Sequence, residues 1–268
     1  MPIGFEQRGE IAIVTLSNGP LNVLTPELHK ELFEVLVRVE SDDTVKAAVL
    51  TGHGSRAFSA GDDIKTIRPQ STPEELLLRY LRPSPAGGGT SQRYPGWERE
   101  VLALRRHKPM VGAVRGWCLG QGLIYLCNLT DLRVAGTNAR FGLPEIAYGM
   151  PGGAAHAGLL DHLPRVLAVK MALTGDPITA DEALRAFFVN EVVDDEAVLD
   201  RALELATRIA RHSQLAIMLE MDAIHQSGML PTPAARQYAE KLFYLEKLAR
   251  IASGSEQAPA LAAGGRGS

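Results

Sequence analysis

Three short stretches of this chain hold the residue types that could stabilise a developing oxyanion and move a proton. Arg56-Ala57-Phe58-Ser59-Ala60-Gly61-Asp62-Asp63-Ile64-Lys65 follows the apolar run Ala47-Ala48-Val49-Leu50, so it lies where a strand empties into a loop. Gly116-Trp117-Cys118-Leu119-Gly120-Gln121-Gly122 is a second glycine-rich loop, and Phe141-Gly142-Leu143-Pro144-Glu145-Ile146 adds a carboxylate. Glycine lets a backbone take unusual angles and bring its N–H close to a ligand. Two such loops and one carboxylate supply aimed donors for an oxygen gaining charge, with a base beside them. Either glycine loop alone reads as an ordinary turn. Gly116, Gly120 and Gly122 do not match a dinucleotide fingerprint, and no Walker lysine follows a glycine loop.

The elements that must position these loops alternate between strand and helix. Ile11-Ala12-Ile13-Val14-Thr15-Leu16 is β-branched and alternating, so it predicts a strand, turned at Arg8-Gly9-Glu10 from an earlier one. Thr25-Pro26-Glu27 predicts a helix start: a hydroxyl cap, a proline at the first position and an acid near the positive end of the dipole. Leu28, Leu32, Val35, Leu36 and Val39 mark that helix's apolar face. With Ala47 to Leu50 as the next strand, the order is a crossover unit of an α/β fold. Further helices are predicted at 73–82, 97–106, from Gly122 to Leu126, 163–173, after the capping box Thr179-Ala180-Asp181-Glu182, and at 195–212, 214–226 and 233–252. Strands are predicted at 110–114, 132–135 and 189–193. Pro83 to Thr90 breaks regular structure and reads as a loose loop or a lid. The Ala/Gly-rich residues 253–268 are expected to be a disordered tail.

Composition narrows the class. With 46% hydrophobic and 22% charged residues over 268 positions, the chain reads as a soluble globular protein with one large domain, or a domain and an appendage. A net charge of −3 argues against a nucleic-acid partner, which calls for a basic face. Two cysteines, Cys118 and Cys127, lie in apolar sequence and read as reduced core thiols. No carboxylate, histidine or cysteine cluster has metal-ligand spacing. No basic region precedes an apolar run at the N-terminus and no stretch is apolar enough to span a bilayer, so a cytoplasmic protein without membrane association is expected.

In order and spacing, the three stretches resemble the enoyl-CoA hydratase/isomerase (crotonase) family, from about the N-terminus to about residue 230. The resemblance implies an α/β crotonase-like (ClpP/crotonase) superhelix of repeated ββα units with a C-terminal helical region. It divides the chain into a CoA-binding core at 1–195, C-terminal helices at 196–252 that cover the active site and trimerise, and the tail at 253–268. It implies an acyl-CoA substrate, coenzyme A as part of that substrate, no other cofactor, and a homotrimer or dimer of trimers. The implied oxyanion donors are the backbone N–H groups of Asp62 and Gln121, and Glu145 is the implied acid/base. Pro20, Leu21, Ala60, Asp63 and Ile64 would line the groove for the CoA arm, and Gly120 and Pro144 would edge the acyl pocket.

The chain departs from the family pattern in ways that bear on the reaction. The family's hydratases carry a further glutamate where Ile124 stands here, or Tyr125 if the extra residue before Asp131 is placed early. Two glutamates hold and activate water; one can still take a proton at one carbon and return it at another. The resemblance therefore implies an enoyl-CoA isomerase or an atypical hydratase with Glu145 as the single acid/base. The alternatives are an acyl-CoA hydrolase on the same scaffold and a non-catalytic acyl-CoA binder. Gly19 stands where a phosphate-binding basic residue is common, Gly153 where diene isomerases carry an aspartate, and His156 reads as structural, the alternative being an acid or water holder at the site. A serine hydrolase is disfavoured, since Ser59 lacks a nucleophile-elbow sequence.

Overall fold

A computed structural model describes residues 3–66, 72–81, 97–152 and 155–252. Two strands, β1 (Ile3–Arg8) and β2 (Ile11–Leu16), form an antiparallel hairpin. The first crossover helix, α1 (Pro26–Ser41), starts as its sequence dictates: the Thr25 hydroxyl accepts from Leu28 N at 3.3 Å and proline occupies the first turn. Leu28, Leu32, Leu36 and Val39 are buried along one stripe, each side chain contributing about 1.5–3 kcal/mol on leaving water. Its C-terminal carbonyls are met by the buried Lys108, whose Nζ donates to Val39 O at 2.8 Å and Asp42 O at 2.6 Å.

From here the chain repeats one theme. β3 (Ala47–Gly52) is followed by the short β4 (Ala57–Ser59). After α2 (Pro73–Leu81) and α3 (Glu98–Ala103) come β5 (Met110–Val114), the short β6 (Trp117–Leu119) and α4 (Gln121–Leu129). β7 (Leu132–Gly136) and the short β8 (Arg140–Gly142) follow, then a 3-10 turn at Pro144–Tyr148. The long strand of each repeat joins one sheet and the short strand another. With the later strands β9 (Ile178–Thr179) and β10 (Glu191–Val193), the larger sheet runs β1-β2-β3-β5-β7-β10, parallel from β2 onward, and the smaller runs β4-β6-β8-β9. Parallel pairing of β4 with β6 and of β6 with β8 places their carboxyl ends side by side. The loops that leave those ends carry Gly61, Gly120 and Glu145.

The remaining elements add one edge strand to each sheet, β9 to the smaller and β10 to the larger, and further helices. They are α5 (Ala155–His162), α6 (Arg165–Thr174), β9 (Ile178–Thr179), α7 (Ala180–Arg185), β10 (Glu191–Val193) and α8 (Val198–Ala210). α6 ends at Gly175, whose left-handed φ of 75° carries the cap, and α7 opens with the capping box formed by Thr179 and Glu182. Contacts divide the chain into units Met1–Arg211 and His212–Ser268. That boundary falls after the expected one at 195/196, because α8 packs on β3, β5 and β7. The helix buries Val198, Ala202, Ala206 and Ala210, small side chains that allow close approach to the sheet, and leaves Leu205 and Ile209 half-buried. The second unit pairs α9 (Gln214–Met229) with α10 (Thr232–Ala252), where the Tyr238 hydroxyl donates to the Asp222 carboxylate.

Some elements differ from their sequence readings. α3 stops at Ala103, since Leu104 is extended and Arg106 turns to grip Asp131 in a two-pronged ion pair at 3.0 and 2.9 Å. The 195–212 segment begins as a 3-10 turn at Asp195–Ala197, because the Asp195 carboxylate is engaged by the Thr137 hydroxyl and Asn138 N. The loose loop or lid read at 83–90 and the tail at 253–268 lie outside the described residues. Among the described residues, no helix is long and apolar enough to cross a membrane.

Candidate active site

The segment before α1 is stitched onto the loop that leaves β4. Ala60 N donates to Leu21 O at 2.9 Å, Leu24 N to Gly61 O at 2.8 Å and Asp63 N to Leu24 O at 2.7 Å. Asn22, held at a φ of 48°, donates through its side chain to His53 O and Ala57 O. Pro20, Leu21, Ala60 and Asp63 are thus brought together, with Ile64 exposed beside them. The buried Ser59 hydroxyl donates to Asn22 O at 2.8 Å and accepts from Gly61 N at 3.2 Å, so it ties the loop down and is not presented as a nucleophile.

The two glycine loops and the glutamate meet at one place. A β-carbon on Gly61 would stand 2.9 Å from Leu119 O and 3.2 Å from Gln121 N. A β-carbon on Gly120 would stand 2.9 Å from Glu145 Oε1 and 3.8 Å from the α-carbon of Gly61. Both glycines have positive φ, 88° and 53°, which a side-chain-bearing residue adopts only with strain. Gly120 is pinned by its N–H to Gly142 O at 3.0 Å and forms the N-terminal boundary of α4. Gln121 is therefore the first residue of that helix, and its amide has no intrahelical acceptor. Among the described residues, neither Gln121 N nor Asp62 N donates a hydrogen bond to the protein. Amides at a helix start also favour negative charge.

Pro144 opens the 3-10 turn that presents Glu145, and Met150 N donates to Glu145 O at 3.0 Å to close it. Glu145 is half-buried, with Oε2 fully so. The two positions that could have held a second glutamate separate cleanly. Tyr125 is fully buried against α1, whereas Ile124, one turn into α4, is half-buried. Ile124 is the position that stays near the surface, and it is apolar. The His156 side chain and Gly153 lie outside the described residues. Cys118 is no nucleophile: it is fully buried, and burial together with the nearby Cys127 pushes its thiol well above the usual range. Burial also pushes Cys127 up to about 11.

One residue escaped the sequence reading. His29, on the buried face of α1, is fully enclosed and reaches toward Asp62. Its signal was a polar residue sitting in phase with Leu32 and Leu36.

Comparison with known proteins identifies the class of enzyme to which this two-sheet α/β fold belongs. A family model described as enoyl-CoA hydratase/isomerase matches residues 6–250. The chain is 32% identical over 246 residues to (E)-benzylidenesuccinyl-CoA hydratase of Thauera aromatica, covering 91% of this chain and 90% of that protein. It is 34% identical over 237 residues to 2,3-dehydroadipyl-CoA hydratase of Escherichia coli strain K12, covering 88% and 86%. The crystal structure of an enoyl-CoA hydratase/isomerase from Mycobacterium paratuberculosis superposes with a TM-score of 0.78 at 30% identity, covering 93% of this chain and 91% of that one. The chain belongs to the enoyl-CoA hydratase/isomerase family and has its crotonase fold.

Proposed function

We propose that this protein moves the double bond of an enoyl-CoA, with Glu145 as its single acid/base and the amides of Asp62 and Gln121 as its oxyanion hole. The observation that carries the reading is the convergence of Gly61, Gly120 and the Glu145 carboxylate within a few ångströms. In this reading the thioester oxygen of a 3-enoyl-CoA accepts from both amides. Glu145 removes a proton from C2, the electron pair delocalises onto the held oxygen, and the same carboxyl returns the proton at C4. The double bond then lies between C2 and C3. No atoms are gained or lost, and no cofactor is needed beyond the coenzyme A carried by the substrate. An amide aimed at the developing charge is worth about 10²–10³ in rate.

A second reading, atypical hydration, is favoured by the relatives named as hydratases. In it Glu145 adds the elements of water across the 2,3 bond, with a group other than a second glutamate holding the water. The half-buried Ile124 favours bond migration, since an isoleucine neither orients nor deprotonates water.

Pro20, Leu21, Ala60, Asp63 and Ile64 form the CoA groove in this account, and Gly120 and Pro144 the edge of the acyl pocket. Self-assembly as a trimer or dimer of trimers is supported by large apolar side chains left exposed in the first unit, among them Val166, Leu173 and Phe187. Two free, buried cysteines fit a reducing cytoplasm. The deciding experiment incubates the protein with a 2-enoyl-CoA and a 3-enoyl-CoA in deuterated water, beside Glu145→Gln, with products read by mass spectrometry. A shifted double bond lost in the variant supports the first reading. A hydrated product lost in the variant supports the second. Hydrolysed thioester, or turnover surviving in Glu145→Gln, overturns both.

A further inference from the structure

Behind the two glycine loops lies a chain of polar groups inside the core. The ring of His29 is fully buried, as is that of Tyr125. Nδ1 of His29 lies 2.6 Å from the Tyr125 hydroxyl. Nε2 lies 3.2 Å from Oδ1 of Asp62. The two rings meet edge on, with centroids 5.6 Å apart and planes at 82°. The contact to Asp62 is within ion-pair range, although its alignment falls short of a regular hydrogen bond. A carboxylate oxygen only accepts, so the arrangement that satisfies it puts a proton on Nε2.

The three residues belong to three elements. Tyr125 stands four residues after Gln121, one turn into α4, so whatever holds Tyr125 holds the start of that helix. Asp62 carries the other amide on its own backbone. His29 sits between them on α1, which Leu28, Leu32 and Leu36 fix in the core. An apolar trio could fill the same space without burying polar atoms. What it could not do is fix a separation and a direction, which hydrogen-bonded and charged contacts do.

We propose that His29 is a positioning residue that sets the spacing of the two oxyanion-hole amides, gripping α4 through Tyr125 and the β4 loop through the Asp62 carboxylate. This rests on the oxyanion reading proposed above. It adds a role for the Asp62 side chain that the backbone donor alone does not require.

The test uses a conjugated aryl-enoyl-CoA, whose absorbance moves to longer wavelength as its thioester oxygen is polarised. Wild type, Tyr125→Phe, His29→Leu, His29→Gln and Asp62→Asn are compared, each with a thermal melt. Bound to the wild type, the chromophore shifts to the red. In Tyr125→Phe, His29→Leu and Asp62→Asn the chromophore still binds, but its red shift shrinks. On an enoyl-CoA substrate, kcat falls about 10- to 100-fold, as for a misplaced catalytic group, while KM stays within about threefold. His29→Gln keeps an N–H donor and recovers part of the shift lost in His29→Leu. Tyr125→Phe removes a single oxygen and carries the test alone if His29→Leu does not fold. Folded variants that keep the wild-type shift and kcat overturn the positioning role. A wild type that binds the chromophore without shifting it overturns the oxyanion reading and this proposal together.

Discussion

Replacing Gly120 with alanine tests the geometry at its narrowest point. The residue has a φ of 53° and a ψ of −127°, a region that only glycine enters freely, so alanine there carries strain of about 1–3 kcal/mol. Its N–H to Gly142 O holds the backbone in place. The new methyl would lie 2.9 Å from Glu145 Oε1, where ordinary contact begins near 3.4 Å, so the carboxylate must retreat by about 3.4 − 2.9 = 0.5 Å. A glutamate tip can swing, so this displacement costs little stability and falls on activity instead. Misplacing a reacting group by about 1 Å can cost about 10² in rate, so the expected loss in kcat is about 10- to 100-fold. The strain should lower Tm by about 2 to 12 °C, at about 2–4 °C per kcal/mol. Gly9→Ala is the control, since Gly9 also has a positive φ, 60°, but a β-carbon there has no neighbour within 4 Å. It should lose stability and keep kcat. Steady-state kinetics on an enoyl-CoA and thermal melts read both variants. Wild-type kcat in Gly120→Ala, or an equal kcat loss in Gly9→Ala, refutes the reasoning.

Ile124→Glu should raise the proportion of hydrated to isomerised product, measured by mass spectrometry, by restoring a carboxylate one turn into α4; an unchanged ratio counts against Ile124 as the deciding position. Glu191 is held by Arg201 through Nε at 2.6 Å and Nη2 at 2.9 Å, and the Arg201 hydrogen bond holds its carboxyl below the usual range. A depressed folded pKa stabilises above the unfolded value and loses that contribution as pH falls through the folded one. Glu191→Gln should therefore lower stability at pH 7 by about 0.5–1 kcal/mol for this half-exposed pair. That gap should close once the pH drops below about 4.3 toward the depressed value, as thermal melts at several pH values will show. Lys108→Met should cost about 1–3 kcal/mol in chemical denaturation by stranding Val39 O at the end of α1, while Asp42 O keeps its bond from Val45 N. A stability equal to wild type would mean that another donor takes Val39 O.

What could be read from the sequence followed the strength of the local signal. α1 announces itself through Thr25, Pro26 and a regular apolar face, and α7 through its capping box, so both start where expected. The long strands of the larger sheet are rich in alanine, valine and isoleucine and were legible for the same reason. The smaller sheet was not: β4, β6 and β8 have three residues each and β9 two, too short for any periodicity. Yet those strands bring Gly61, Gly120 and Glu145 together, where pattern alone gave separate loops. α5 and the 3-10 turn at Pro144 went unread, and α3 ended early because the Arg106–Asp131 pair is a long-range contact. α8 was read as part of the C-terminal helices; its alanine stripe shows its partner only once the sheet is present. His29 carries little signal in sequence, because a histidine beside Leu28 looks like a break in an apolar face rather than a member of it.

The central claim is that a thioester oxygen sits between the amides of Asp62 and Gln121 with Glu145 over the adjacent carbon. A crystal structure with a non-reacting acyl-CoA analogue bound measures this directly. The account predicts the thioester oxygen about 2.7–3.1 Å from both nitrogens and a Glu145 oxygen in reach of C2. An analogue whose thioester lies away from either amide, or whose C2 is out of reach of Glu145, would contradict it.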